Sequence, residues 1–186
     1  MALREAGLGA LLACAAVMVP QTLPASPGNY LSTDEFLETA FAGAEPLPAR
    51  LIIDSGVRAE IEEILGHEFA RLRLRYWEHG GITAWVLEEV GKTEPITIGV
   101  AVEAGRVRSV RVLTFRESRG WEIRHPFFTD QFRGAMLHAG HGLDRPIDGI
   151  TGATLSVAAM NKVVRIALLL DGRVRAAREA PTIARN

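Results

Sequence analysis

A short run of small and hydroxyl residues at positions 148–156 constrains this chain more than any other segment. It reads Asp-Gly-Ile-Thr-Gly-Ala-Thr-Leu-Ser, and the apolar residues after it recur at helical spacing. The start of a helix presents unpaired N–H groups and a partial positive charge, which suit a phosphate. Gly152 lets the backbone approach a ligand closely. The hydroxyls of Thr151, Thr154 and Ser156 can donate to phosphate oxygens or be esterified. An ordinary helix N-cap is the alternative interpretation, since threonine commonly caps helices.

The motif Asp148-Gly-Ile-Thr-Gly-Ala-Thr154 resembles the flavinylation motif of FMN-binding domains. These domains occur in the sodium-translocating NADH:quinone oxidoreductase and in the Rnf complex, in each case within one of the component proteins. In that family the last threonine of the motif takes FMN through a phosphoester bond, and a separate flavin transferase attaches it with FAD as donor. The resemblance implies that Thr154 is the acceptor. It also implies that the residues around it bind the cofactor, namely Asp148, Thr151, Gly152, Ala153, Leu155 and Ser156.

A second block, residues 97–134, strengthens the resemblance. It is similar to the family's strand–turn–strand, its "ETPG" turn, here within Arg116-Glu-Ser-Arg-Gly-Trp121, and its "DQF" helix, in the same order. The similarity covers roughly residues 70–170. The chain departs from the family at Ser118-Arg119, where Thr-Pro is usual, and at Val157-Ala158, where a further serine is frequent.

Two residues in or near this turn are candidates for contact with the isoalloxazine ring of the flavin. Trp121 is a candidate wall for the isoalloxazine, with core filling as the alternative. Glu117 either hydrogen-bonds the backbone of a turn or faces the ring.

The first 25 residues are typical of a secretory signal peptide. Arg4 precedes an apolar stretch at 6–19, and a Pro- and Ala-containing exit ends at Ala25. An uncleaved anchor, or lipidation at Cys14, is an alternative. We therefore expect export to the periplasm or to the outer face of the cytoplasmic membrane. Cys14 is the only cysteine, so a cleaved chain has no disulfide and no thiol nucleophile.

The remaining pattern predicts an α+β fold, an antiparallel sheet flanked by helices. We expect helices at 32–42, 55–65 and 127–132, and strands at 71–76, 82–87, 96–102 and 107–115. A last helix runs from about 155 to 170 and ends at Asp171-Gly172. We divide the chain into a signal or anchor (1–25), an N-terminal helical segment (26–69) that opens with a short linker at 26–30, an FMN-binding domain (70–172) and a frayed basic tail (173–186).

The sequence gives weaker support for other kinds of functional site. His138 and His141, with Asp144 and Asp148 nearby, sketch a loose metal site, but solvated loop histidines are favoured. Motifs of serine hydrolases, P-loop nucleotidases and dinucleotide-binding folds do not occur. The net charge of −1 does not suggest nucleic-acid binding, which needs a basic surface.

We therefore expect an electron carrier or redox subunit rather than a free-standing enzyme. Its partners would be a flavin transferase and a membrane or envelope redox protein. Two alternatives remain, a module that binds FMN or another phosphate ligand noncovalently and a purely structural envelope protein.

Overall fold

Six antiparallel strands and four α-helices make up the part of the chain, residues 28–180, that this computed structural model describes. The predicted α+β class is confirmed. The strands are β1 Gly28–Asn29, β2 Leu47–Ile52, β3 Arg73–His79, β4 Ile82–Val90, β5 Pro95–Glu103 and β6 Arg106–Phe115. The helices are α1 Thr33–Ala40, α2 Ser55–Leu65, α3 Pro126–Thr129 and α4 Thr154–Glu179, with 3-10 turns at Trp121–Arg124 and Asp130–Phe132.

The sheet is a meander with one added edge. Its order is β1-β6-β5-β4-β3-β2, so consecutive strands from β2 to β6 are neighbours and β1 returns to pair with β6. The β5–β6 hairpin turns at Ala104-Gly105, between the strands predicted at 96–102 and 107–115, and both residues have positive φ. The β4–β5 turn lies at the opposite end of β5, which places it beside the start of α4.

Helices cover both faces of the sheet because side chains alternate along each strand. On one face, Phe36 and Phe41 of the α1 region pack against Ala84, Ala101 and Leu113. On the other face, α2 and α4 cover the larger core, whose fully buried members include Trp85, Ile98, Val100, Met160 and Leu170.

The first two helices begin and end within two residues of the predicted bounds because their caps are local. Ser32 and Glu35 form a reciprocal capping box at α1. The Asp54 carboxylate accepts from the Val57 N–H at 2.8 Å to start α2, and Gly66 ends it in the left-handed conformation.

The predicted end of α4 at Asp171-Gly172 is wrong, since the helix continues to Glu179. Asp171 is fully buried and acts as a tertiary anchor rather than a terminator. Its carboxylate accepts from the Thr83 hydroxyl at 2.8 Å and from Arg175 Nε at 2.8 Å. Residues 173–179 of the expected frayed tail are therefore helical.

The sequence pattern does not predict two of the short strands. The expected linker at 26–30 contains Gly28–Asn29, which pairs with β6. Pro46 and Pro48 suggest an irregular segment after the first helix, yet Leu47–Ile52 is a strand. It lies at the edge of the sheet, where a proline need not donate a hydrogen bond to a neighbouring strand. The signal segment 1–25 lies outside the described residues. Within residues 28–180, no helix has both the length and the apolar character of a membrane span.

Candidate functional site

The first turn of α4 displays Thr154 toward solvent. The helix begins at this residue, with Ala153 in the N-cap position and no side chain bonded to the first-turn N–H groups. The turn before it closes through the Ala153 N–H and the Ile150 carbonyl at 3.0 Å, with Gly152 at φ +84°. Thr154 is thus not the helix cap, and within residues 28–180 its hydroxyl makes no hydrogen bond.

Gly120 and Ser156 hold the start of α4 against the turn that follows β6. Gly120 has φ +88°, and a Cβ added there would lie 2.5 Å from Ser156 Oγ and 3.4 Å from the Ala153 Cβ. Only glycine satisfies both the positive φ and the close approach. Ser156 is buried by this contact, whereas Thr154 beside it stays exposed. The two segments therefore pack directly against each other as one unit.

The Glu117 carboxylate fastens a third segment, the β4–β5 turn, to this unit. Its Oε1 accepts from the backbone N–H groups of Lys92, Thr93 and Glu94 at 2.5, 2.6 and 2.9 Å. Its Oε2 accepts from the Thr93 hydroxyl at 3.1 Å. Burial acts to raise the pKa of Glu117, but these donors outweigh it and hold the pKa below the usual range. Glu117 is therefore an anion that organises a turn.

These three segments enclose an open cavity of about 320 Å³, within the size range of small-molecule sites. Its lining comes from the β4–β5 turn, the turn after β6 and the start of α4, as Lys92, Glu117, Ser118, Arg119, Gly152, Ala153, Thr154, Leu155 and Ser156. A depression of about 440 Å³ lies elsewhere, beside β1 and the start of α1. Its lining contains no Lys or Arg and no motif residue, so we place the candidate site at α4.

Positive charge dominates the mouth of this cavity. Lys92 and Arg119 are exposed, and among residues 28–180 neither side chain forms an ion pair. The uncapped start of α4 adds roughly half a positive charge. The carboxylate of Glu117 opposes them, but backbone donors surround it. The arrangement therefore suits an anionic group bonded to, or resting beside, the Thr154 hydroxyl.

Comparison with protein-family models identifies this region. Residues 91–169 match the model of the FMN-binding domain. The chain carries an FMN-binding domain. The match begins at the β4–β5 turn and ends within α4, so it contains every residue that lines the cavity. Searches of curated proteins and of solved structures found no match.

The site residues of the FMN-binding domain fit a phosphate-bearing flavin. The first-turn N–H groups, two cationic side chains and the hydroxyls of Ser118 and Thr154 are donors for phosphate oxygens. Thr154 also presents an oxygen that can be esterified, and Leu155, 52% exposed, gives the cavity an apolar surface.

Six of the nine sequence-predicted site residues line the cavity, namely Glu117, Gly152, Ala153, Thr154, Leu155 and Ser156. Thr151 is exposed and lies outside the lining. Asp148 is also outside it, and its N–H donates to the Gln131 side chain at 2.7 Å. Gln131, from the "DQF" segment, thereby orients the chain as it enters the motif.

Trp121 also lies outside the cavity lining. Its ring meets His125 edge-on at 5.4 Å, and the Arg124 guanidinium lies 5.2 Å from the ring centroid. The half-buried ring packs against the main core. A role for Trp121 as a wall for the flavin stays a prediction.

Sequence reasoning missed Lys92 and Arg119 as site residues. Lys92 is far from the motif along the chain, and only the Glu117 contacts bring its turn to the cavity. For Arg119 the sequence did contain a signal, because Ser118-Arg119 stands where the family's turn usually has Thr-Pro.

The histidine-containing loop is fixed by structural contacts. His141 contacts the carboxylates of Glu60 at 3.3 Å and Glu63 at 3.4 Å, which ties the loop to α2. His138 Nδ1 faces the Ala139 carbonyl at 2.9 Å. In residues 28–180 no group of three or more acidic, histidine or cysteine side chains is placed to hold a metal ion.

Proposed function

We propose that this protein is an envelope electron-transfer flavoprotein that carries FMN on Thr154 through a phosphoester bond. The observation that carries the proposal is the position of the Thr154 hydroxyl. It is exposed at the first residue of α4, makes no internal hydrogen bond among the described residues and borders a cationic cavity. A hydroxyl that stabilises nothing in the fold is available as an acceptor.

Attachment would exchange one phosphate bond for another. The Thr154 oxygen attacks the FMN phosphorus of FAD, the pyrophosphate bond breaks, AMP leaves, and the hydroxyl proton passes to a base of the transferase or to water. The chain contributes the positioned oxygen, and the α4 N–H groups with the two cations stabilise the phosphate charge. Because the hydroxyl is exposed, a separate transferase can reach it.

The bound FMN would supply reversible electron transfer, and the protein would supply position and electric field. The Gly120–Ser156 contact and the Glu117 hydrogen bonds hold the three cavity segments together. Exchange of electrons with a membrane or envelope partner needs only an exposed edge of the flavin. The cavity is open to solvent, so it would leave an edge of a bound flavin exposed.

Residues 1–25 support the envelope location, because their composition is typical of an export signal. A tethered flavin also suits a compartment outside the cytoplasm, where a dissociated cofactor would be lost. Export and both partners are parts of this proposal.

Noncovalent FMN binding is the second candidate. Lys92, Arg119 and the start of α4 form a phosphate-binding arrangement that needs no covalent bond. Such a module would act as a sensor or a scavenger, and denaturation would release its flavin.

Intact mass analysis distinguishes the candidates. The full chain is produced in an exporting host with an active flavin transferase, beside Thr154→Ala and the control Thr151→Ala. We expect one FMN adduct on the wild type and the control, none on Thr154→Ala, and flavin that stays with acid-precipitated protein. Flavin found wholly in the supernatant would favour the noncovalent module. An adduct that persists in Thr154→Ala would move the acceptor to another hydroxyl.

A further inference from the structure

No carboxylate pairs with Lys92 or Arg119 among residues 28–180, so no ion pair neutralises the charge of either side chain. Elsewhere, Lys162 binds Glu89 at 2.9 Å and Arg108 binds Glu103 at 2.8 Å. Lys92 and Arg119 lie on different segments, the β4–β5 turn and the turn after β6, yet both line the cavity that borders Thr154. Their charge thus faces one site.

The two cations carry more positive charge than one phosphate group at Thr154 requires. A phosphodiester on Thr154 carries one negative charge, which the start of α4 already offsets in part. The carboxylate of Glu117 keeps its negative charge but bonds to three backbone N–H groups and a hydroxyl, and among residues 28–180 it forms no ion pair. The other charged side chains of these segments and of the adjoining 3-10 turn are Glu94, Arg116, Glu122, Arg124 and Asp148. Arg116 is paired with Glu88, and the Arg124 guanidinium lies over the ring of Tyr30.

We propose that Lys92 and Arg119 set the redox potential of the flavin by stabilising its reduced, anionic form. This inference rests on the proposed function. Reduction of the flavin takes two electrons with one proton to give the anion, or two electrons with two protons to give the neutral form. Nearby positive charge stabilises the anion by Coulomb attraction and leaves the neutral oxidised ring almost unaffected. The midpoint potential rises and the reduced flavin becomes more acidic.

The test uses three variants of the full chain, Lys92→Gln, Arg119→Gln and the double variant, all produced with the transferase. Arg108→Gln is the matched control, because it removes a partly exposed arginine of β6 that lies roughly 24 Å along the strand from Phe115, where the turn after β6 begins. Intact mass first establishes that each protein carries FMN. Spectroelectrochemistry then gives the midpoint potential across a pH series.

We expect the double variant to lower the reduced-to-oxidised ratio at fixed potential by at least about threefold, which is about 14 mV for a two-electron couple. Each single variant should give part of this shift, and Arg108→Gln none. The pH at which the potential changes slope, from two protons per electron pair to one, should move upward in the double variant. A role in folding alone would not move this break.

A salt series on the wild type gives a second readout that needs no variant. Added salt screens exposed charges, so it should lower the midpoint potential of the wild type, and by less in any loaded variant. If the wild type and the double variant both carry FMN and have the same midpoint potential and the same pH of slope change, the inference about Lys92 and Arg119 is wrong, while the proposed function is unaffected. If the variants take no flavin, a wild-type potential independent of salt would overturn it. A wild type without flavin would contradict the proposed function itself.

Discussion

The hydroxyl of Ser156 lies directly over Gly120, so that a methyl group at residue 120 would stand 2.5 Å from the Ser156 Oγ. This contact joins the turn after β6 to the first turn of α4. Since Arg119 precedes Gly120 and Thr154 lies two residues before Ser156, the contact also sets how the cation and the acceptor hydroxyl face the same cavity. A small change here should therefore affect both stability and flavin attachment.

Gly120→Ala should lower the free energy of unfolding by about 2–4 kcal/mol, since it combines a left-handed backbone with a clash. Gly152→Ala is the matched control, because Gly152 has φ +84° but nothing within 4 Å of an added Cβ. It should cost only about 1–2 kcal/mol. Urea denaturation measures both values. Adding Ser156→Ala to Gly120→Ala should restore part of the lost free energy of unfolding. If Gly120→Ala and Gly152→Ala lower the free energy of unfolding equally, the close contact between Gly120 and Ser156 is contradicted.

Thr154→Ala should leave the free energy of unfolding within about 0.5 kcal/mol of the wild type while it removes the FMN adduct. Thr154 is exposed and makes no hydrogen bond within residues 28–180, and such surface changes are usually small. Thermal and urea unfolding of the flavin-free proteins give the comparison. A loss of about 1 kcal/mol, typical of a removed N-cap, would show that Thr154 does cap α4.

The elements that can be predicted from sequence are those with local signals. Asp54 and Gly66 bracket α2 within a dozen residues, and Ala104-Gly105 marks the β5–β6 turn. The sequence does not predict β2 because Pro48 is unfavourable inside a sheet. Only the order of the strands shows that β2 lies at the edge of the sheet, where a proline need not donate a hydrogen bond to a second neighbouring strand. The end of α4 is misplaced because the partner of Asp171, Thr83, is 88 residues away.

In the candidate site, too, only the residues with local sequence signals can be predicted. Its α4 half, centred on Thr154, is predictable because the motif is contiguous in sequence. Lys92 is missed because its turn reaches the cavity only through the Glu117 carboxylate, 25 residues further along the chain. For Glu117 itself the sequence leaves two alternatives, and the structure places it on the backbone of a turn.

Glu117→Gln should lower the free energy of unfolding by about 1–3 kcal/mol at neutral pH, because charged acceptors bind N–H groups more strongly. The folded-state pKa of Glu117 is lowered. Its stabilisation is therefore complete above the unfolded pKa, about 4.3, and is lost as the pH falls through the folded pKa. Urea denaturation at several pH values should show the wild-type advantage shrinking in acid. A constant difference at all pH values would contradict the assignment.

Flavin attachment should depend on export. A version that starts at Ser26 and stays in the cytoplasm should lack the FMN adduct when the transferase is confined to the envelope, whereas the full chain should carry it. Intact mass of both proteins gives the answer. The cytoplasmic version with a cytoplasmic transferase is the control for folding, and it should be loaded. Equal loading without that transferase would contradict the envelope location.

Two neighbouring substitutions test whether α4 continues past residue 171. Gly172 lies in the helix interior, and an added Cβ meets nothing within 4 Å. Gly172→Ala should therefore raise the free energy of unfolding by up to about 1 kcal/mol. Asp171→Ala should lower it by about 3 kcal/mol, because it leaves the buried Thr83 hydroxyl and the Arg175 guanidinium without their shared acceptor. If α4 ended at residue 171 with Gly172 in the left-handed conformation, Gly172→Ala would instead destabilise the protein. Urea denaturation of the two variants, with helix content from circular dichroism, separates these outcomes.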